Sequence, residues 1–302
     1  MKKSLLILVF CALASFAARA CPFCGCGNSN FQIGLVPNFN KGFVGVRYTY
    51  SSFKTDSGSQ FSRDRFHVTE LWGGYNFGKV QVMAFVPYVA IDKLGDDGPR
   101  QARGLGDITV LGLYEVLNTS SGPLTDKAVI VRNQLWAGGG VKLGTGRSTV
   151  DVSDPAFTVG EFSGTPGTGS TDVLFNLNHT LLVNKHGLVT NLAYRLNTAS
   201  GQNYRYGNRF YANSAYFYGW KVGKLDVRPT AGLNFVVNGR NRFEDQPIAD
   251  SNGYVLNGTV GLNLQTGKVG LLVNGFRPLS QNLFNGLTKL NDRVSVALTL
   301  SI

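Results

Sequence analysis

The stretch Asp292-Arg293-Val294-Ser295-Val296-Ala297-Leu298-Thr299-Leu300-Ser301-Ile302 decides how the chain is read. Val294, Val296, Leu298, Leu300 and Ile302 fall on one face, and Arg293, Ser295, Ala297, Thr299 and Ser301 on the other. Side chains alternate across a strand with period two, so this is a strand with one apolar and one polar face. A soluble sheet owns such strands too, but a transmembrane barrel requires them, because one face meets lipid and the other the lumen.

The opposite end selects the second option. Lys2 and Lys3 precede a mostly apolar run, 4–16, and Ala18-Arg19-Ala20 supplies the small-x-small pattern of leader cleavage. Segment 1–20 is therefore expected to be a signal peptide. Cys21 would then begin the mature chain, which leaves simple cleavage and lipoprotein processing as alternatives; Ala18 stands where lipidation prefers a Leu-like residue. Beyond the leader no run of about 18 apolar residues remains, which excludes a helical membrane protein.

Composition agrees with a barrel. The 302 residues include 38 Gly, 20 Phe and 12 Tyr but only 2 Met. Mean hydropathy is near zero, as expected when apolar and polar residues alternate. Twenty-nine basic residues oppose 18 acidic ones. For an exported chain this excess points to anionic lipid headgroups or a basic lumen, and no nucleic-acid partner is expected.

Alternating, aromatic-rich runs are expected at 42–53, 65–77, 80–91, 105–117, 128–143, 170–184, 187–197, 208–221, 224–238, 253–265, 268–279 and 291–302. The fold class is all-β, a transmembrane antiparallel up-and-down β-barrel of about 12 strands spanning 42–302. Tight hairpins are expected at Gly78-Lys79, Lys185-His186, Val222-Gly223 and Thr266-Gly267. The alternate connections, 54–64, 92–104, 144–169, 198–207, 239–252 and 280–290, are longer, and 118–127 is a long member of the short set. Short turns at one end and long loops at the other mark an outer-membrane barrel, with both mature termini on the periplasmic side. The partners that follow are outer-membrane lipids, a small-molecule solute and, through the last strand, the barrel-assembly machinery. Ile302 stands where an aromatic is more usual in that assembly signal.

The polar faces give the lumen-lining candidates. They are Arg47, Asn176, Asn178, Arg195, Asp226, Arg228, Asn234, Asn257 and Asn263, since an ionic group on the lipid face costs about 2–4 kcal/mol near the midplane. His179 breaks the pattern, because parity puts it on the lipid face. A bulge or a place near the rim would remove the conflict. Twelve strands enclose a narrow pore or one partly plugged. Segment 27–41, with Phe31, Ile33, Leu35, Val36 and Phe39, and the Gly/Ser/Thr/Pro-rich loop 144–169 are the candidate plugs.

The start of the mature chain carries the chemistry most foreign to a barrel. Cys21, Cys24 and Cys26 could hold Cu(I) or share a zinc site, or form a disulfide with the third thiol free or lipidated. With no fourth mature Cys, a Cys₄ zinc site within one chain is excluded. No cofactor is required. Segment 21–41 is read as a Cys-rich, plug-like extension. An enzyme is not expected, because none of the three His residues shares a strand face with a Ser at a useful spacing; the nearest candidate pairs His179 with Ser170.

Three motifs stand at strand ends: Gly104-Leu105-Gly106-Asp107, Gly140-Val141-Lys142-Leu143-Gly144-Thr145-Gly146 and Gly167-Thr168-Gly169-Ser170-Thr171-Asp172. In this order they resemble outer-membrane barrels of the phenol-degradation meta-pathway transporter type, over roughly 40–302. The family usually has Pro where this chain has Gly144. The resemblance implies a channel or transporter for small, often hydrophobic or aromatic, solutes. The Cys-rich start resembles those preceding such barrels in Bacteroidetes-like sequences. The alternative is a non-transporting barrel that presents the Cys cluster for copper or zinc binding or for tethering. Read physically, the motif glycines permit positive φ at strand ends, and Asp107 and Asp172 can accept backbone N–H bonds there, which makes the motifs rim architecture.

Overall fold

A computed structural model describes residues 41–56, 58, 61–96, 98–121, 130–146, 148, 150–154 and 159–302. The leader, Cys21, Cys24 and Cys26, and the plug candidate 27–41 up to residue 40 lie outside the described residues.

Twelve antiparallel strands form the wall: β1 (Gly42–Asp56), β2 (Phe61–Phe77), β3 (Val80–Gly95), β4 (Thr109–Ser121), β5 (Val131–Lys142), β6 (Asp172–Val183), β7 (His186–Leu196), β8 (Arg209–Tyr218, continued by Trp220–Val222), β9 (Leu225–Asn238), β10 (Gly253–Thr266), β11 (Val269–Leu283) and β12 (Thr288–Ser301). Each pairs with its sequence neighbours, and β1 pairs with β12 from Phe43↔Ser301 to Thr55↔Thr288, which closes the barrel. Closure leaves no strand edge unpaired, the condition for crossing lipid. Among the described residues no helix is long and apolar enough to cross a membrane.

All twelve expected strands are present, with two differences. The tight turns lie one residue off: Gly78-Lys79 stands, but the others are Asn184-Lys185, Gly223-Lys224 and Gly267-Lys268. Each begins on a residue at positive φ, between 53° and 66°, which a two-residue hairpin demands and which Gly or Asn supplies at least cost. The second difference is at the other end, where several expected loops are strand. β1 and β2 pair out to Asp56↔Phe61, and β3 runs to Gly95 and folds back against Gly98–Leu105. A barrel ladder needs no apolar alternation once its strands leave the lipid, so polar stretches such as Lys54-Thr55-Asp56 and Ser62-Arg63-Asp64 continue it.

Outward faces carry Val44, Val46, Leu71, Val82, Leu233, Val260 and Leu298, all exposed. Exposed aromatics flank this band. Tyr75, Phe77, Tyr114, Tyr216 and Trp220 lie toward the short turns, and Tyr48, Tyr88 and Tyr194 toward the long loops, the two girdles of a membrane barrel. His179 lies outward in an unbroken register, so no bulge removes the conflict. It sits five residues from the Asn184 turn and bonds Asn133 Oδ1 of β5 through Nε2 at 2.7 Å, a satisfied group near the short-turn rim.

Candidate functional site

Large apolar side chains point inward from β1 to β4: Phe43, Phe53, Phe66, Trp72, Met83, Phe85, Ile91, Leu111 and Leu113 are all at most 3% exposed, and the buried Arg47, Asp64, Glu70 and Gln81 are interleaved with them on the same faces. Glycines opposite make room. A Cβ on Gly140 would come within 2.6 Å of Leu111 Cδ2, and one on Gly74 within 3.0 Å of Phe43 Cε1. Phe43 meets Trp72 edge-on at 4.6 Å, and Trp72 stacks on Phe85 at 6.2 Å.

From β6 to β10 more of the inward residues are polar, although Leu174, Val189, Tyr211, Val236 and Val255 are buried there too. Asn176, Arg195, Asn234, Asn257 and Asn263 are buried on the inner face, as is Arg47 of β1; Asn178, Asp226 and Arg228 are half-buried. Asp226 faces Lys221 at 3.8 Å near the short turns. Sequence reasoning missed the most telling arrangement here. Asn178 of β6 pairs directly with Asn191 of β7, Asn191 with Asn213 of β8, Asn213 with Asn234 of β9, and Asn234 with Asn257 of β10. Five asparagines thus stand side by side across five adjacent strands. Asn191 donates to Asn178, Asn178 Nδ2 to Asn176 Oδ1 at 2.7 Å, and Asn257 Nδ2 to Asn234 Oδ1 at 3.1 Å.

A cavity of about 40 Å³ lies inside the barrel, lined by Arg47 and Trp72, by polar side chains including Asn213, Thr230, Thr259 and Asn263, and by Tyr211, Leu272 and Phe276. That is room for roughly three waters. Arg47 donates to Glu70, both side chains almost fully buried, and its guanidinium lies 5.1 Å from the Trp72 ring centre. Arg293 Nε donates to Ser51 Oγ at 3.0 Å, and Arg209 Nε to Asn238 Oδ1 at 2.6 Å.

At the long-loop end the three strand-end motifs converge on Lys142. Its Nζ lies 2.7 Å from Asp107 Oδ2 and 3.0 Å from Asp172 Oδ2, and it also donates to the Ser170 carbonyl at 3.0 Å. Asp107 accepts further bonds from the backbone N–H of Gly146 and Thr168, both at 2.9 Å. Asp172 accepts from Ser170 Oγ at 2.9 Å and Thr198 N–H at 3.0 Å. Each motif lies at a strand end, and together they form a buried Asp–Lys–Asp clamp that seats both ends of loop 144–169. That loop's described part packs on the other long loops. Phe162 stacks on Tyr204 at 4.1 Å, Tyr206 OH donates to the Phe162 carbonyl at 2.6 Å, and Gly164 lies beside Lys93.

The loop's two strands cross where only glycine fits. A Cβ on Gly167 would sit 2.3 Å from Gly146 C and 2.4 Å from its Cα. Gly167→Ala is expected to displace the crossing and cost about 1–3 kcal/mol. The check is the temperature at which the folded barrel converts to its slower-migrating denatured form on a detergent gel, which should fall.

The histidines find no serine partner in the bonds they make. His67 Nδ1 bonds Tyr48 OH at 2.7 Å and its Nε2 lies 3.6 Å from Asp92, and His186 Nδ1 bonds Tyr216 OH at 2.6 Å. Ser170 is held in the Lys142 clamp, far along β6 from His179. Among the described residues no group of His, Cys, Asp and Glu is placed to hold a metal ion; the three cysteines fall outside them.

No family model and no curated protein sequence matches the chain. Among solved structures it is similar to an outer-membrane channel from Pseudomonas putida F1, at 15% identity and TM-score 0.59 over 87% of this chain and 95% of that one. It is also similar to the β domain of the Bordetella autotransporter BrkA, at 11% identity and TM-score 0.52 over 87% of this chain and all of that one. These likenesses establish the outer-membrane barrel fold. One neighbour is titled a channel and the other an autotransporter domain, so the fold alone does not choose between their functions.

Proposed function

We propose that this chain is an outer-membrane channel for small solutes, including ones with an apolar or aromatic face. The observation that carries the reading is the cavity inside the barrel, which the aromatic Trp72, Tyr211 and Phe276 line together with Arg47, Asn213 and Thr230. A barrel built only as a membrane anchor has no use for such a mixed lining. The leader-like start, the short and long connections and the motif resemblance support placing the short turns and both mature termini in the periplasm, with the Lys142 clamp at the outer mouth. On this reading lipid covers the outward apolar band, and the last strand engages the assembly machinery.

The test is uptake of labelled small solutes of graded size into proteoliposomes that hold the full mature chain. Uptake well above protein-free vesicles, falling steeply with solute size, is expected of so small a cavity. Rates equal to those of empty vesicles at every size would overturn the reading.

A further inference from the structure

We propose that the asparagine row Asn178–Asn191–Asn213–Asn234–Asn257 is the selectivity element of the lumen, and that it favours uncharged solutes carrying several hydroxyl groups, the chemistry of a small polyol. The inference rests on the lumen being the solute path and names what that path prefers.

The geometry is specific. Register places the five amides directly opposite one another on β6 to β10, so each neighbour is one strand spacing away, about 4.8 Å. An amide both donates and accepts and carries no net charge. Consecutive hydroxyls on a carbon chain offer the same alternation, so a polyol can exchange one amide contact for the next without losing its hydrogen bonds.

A second observation points to a ligand. Asn191 and Asn257 are 0% exposed and Asn176, beside the row, 4%. Yet Asn191 Oδ1, Asn257 Oδ1 and Asn176 Nδ2 have no hydrogen-bond partner. Buried polar atoms are nearly always paired, so these three amides have hydrogen-bonding capacity left over beside the row member that reaches the cavity. Asn213, the middle of the row, opens onto the cavity. Of the neighbouring guanidinium groups Arg47 has Glu70 as its counter-ion, while Arg209 and Arg293 donate to the neutral Asn238 and Ser51; Asn213, Thr230 and Thr259 supply uncharged polar groups to the cavity lining.

The experiment compares sorbitol with gluconate, two six-carbon chains that differ in charge, as labelled solutes entering proteoliposomes. The full chain is expected to pass sorbitol at least about tenfold faster. Asn213→Leu and Asn234→Leu, each confirmed folded by heat-modifiable migration, are expected to lose most of that preference, while Asn213→Ser, which keeps a donor and an acceptor at the cavity wall, retains it. Sorbitol uptake within twofold of the parent in a folded Asn213→Leu, or a preference for gluconate in the parent, would overturn the row's role while leaving the channel standing. No uptake of either solute by a parent that still passes smaller ones would overturn this inference alone, and no uptake of a solute of any size would overturn the channel reading with it.

Discussion

Lys142→Met is expected to destabilise the barrel by about 3–5 kcal/mol, the cost of leaving buried charge without its partner. Lys142, Asp107 and Asp172 are each at most 2% exposed at the side chain, so water does not take over the lost contacts. The site already holds two carboxylates against one ammonium, and removing the ammonium sets two like charges together. The ends of loop 144–169 should come free as well, since Thr168 and Gly146 are held through Asp107. Unfolding by urea in detergent micelles measures the first effect, and protease cutting of the loop in the folded barrel measures the second. A triple replacement, Lys142→Met with Asp107→Asn and Asp172→Asn, should recover much of the stability, because the uncompensated charge is gone. If Lys142→Met unfolds at the parental urea concentration, the clamp does not hold the mouth.

The second large effect is expected at Arg47. Arg47→Met removes the cation that pairs with Glu70 in the interior and should also cost about 3–5 kcal/mol. The double variant Arg47→Met/Glu70→Leu should be markedly more stable than Arg47→Met alone, since an apolar pair of similar volume suits the neighbouring Trp72 and Phe85. A double-mutant cycle over these two positions reads the coupling, and additive costs would show that the pair is not the contact that matters. Shortening position 47 also widens the cavity on its Trp72 side, so Arg47→Met should speed solute entry in the barrels that fold.

The wall of this barrel was legible in the sequence, while its interior was legible only in part. Strict alternation in β12, β9 and β6 coincides with alternating burial along these strands, because the register of a strand with one buried face is tightly specified. Turn positions slipped by one residue, since Asn184 and the Gly of each hairpin sit at the start of the turn. Half of the asparagine row could have been found: turns at Asn184-Lys185 and Gly223-Lys224 fix Asn178 opposite Asn191 and Asn213 opposite Asn234. The other two contacts, Asn191 with Asn213 and Asn234 with Asn257, pass through the long loops 197–208 and 239–252, whose lengths leave register undetermined. The Lys142 clamp was hidden for a related reason. Its three motifs were visible as strand ends, but Asp107, Lys142 and Asp172 meet only once β4, β5 and β6 are aligned, and a lone Lys at a strand end carries no sign of being buried.

On the proposed function, solutes cross through the lumen past the cavity between Trp72 and Asn213. The most direct test uses the full chain with its cysteines replaced by serine and a single cysteine introduced at Asn213, or at the outward-facing Val260, which is 67% exposed. A bulky thiol reagent is allowed to react to completion, and small-solute uptake into proteoliposomes is then measured. Loss of uptake after labelling Asn213→Cys, with none after labelling Val260→Cys, is the predicted result. Unchanged uptake through fully labelled Asn213→Cys barrels would contradict it.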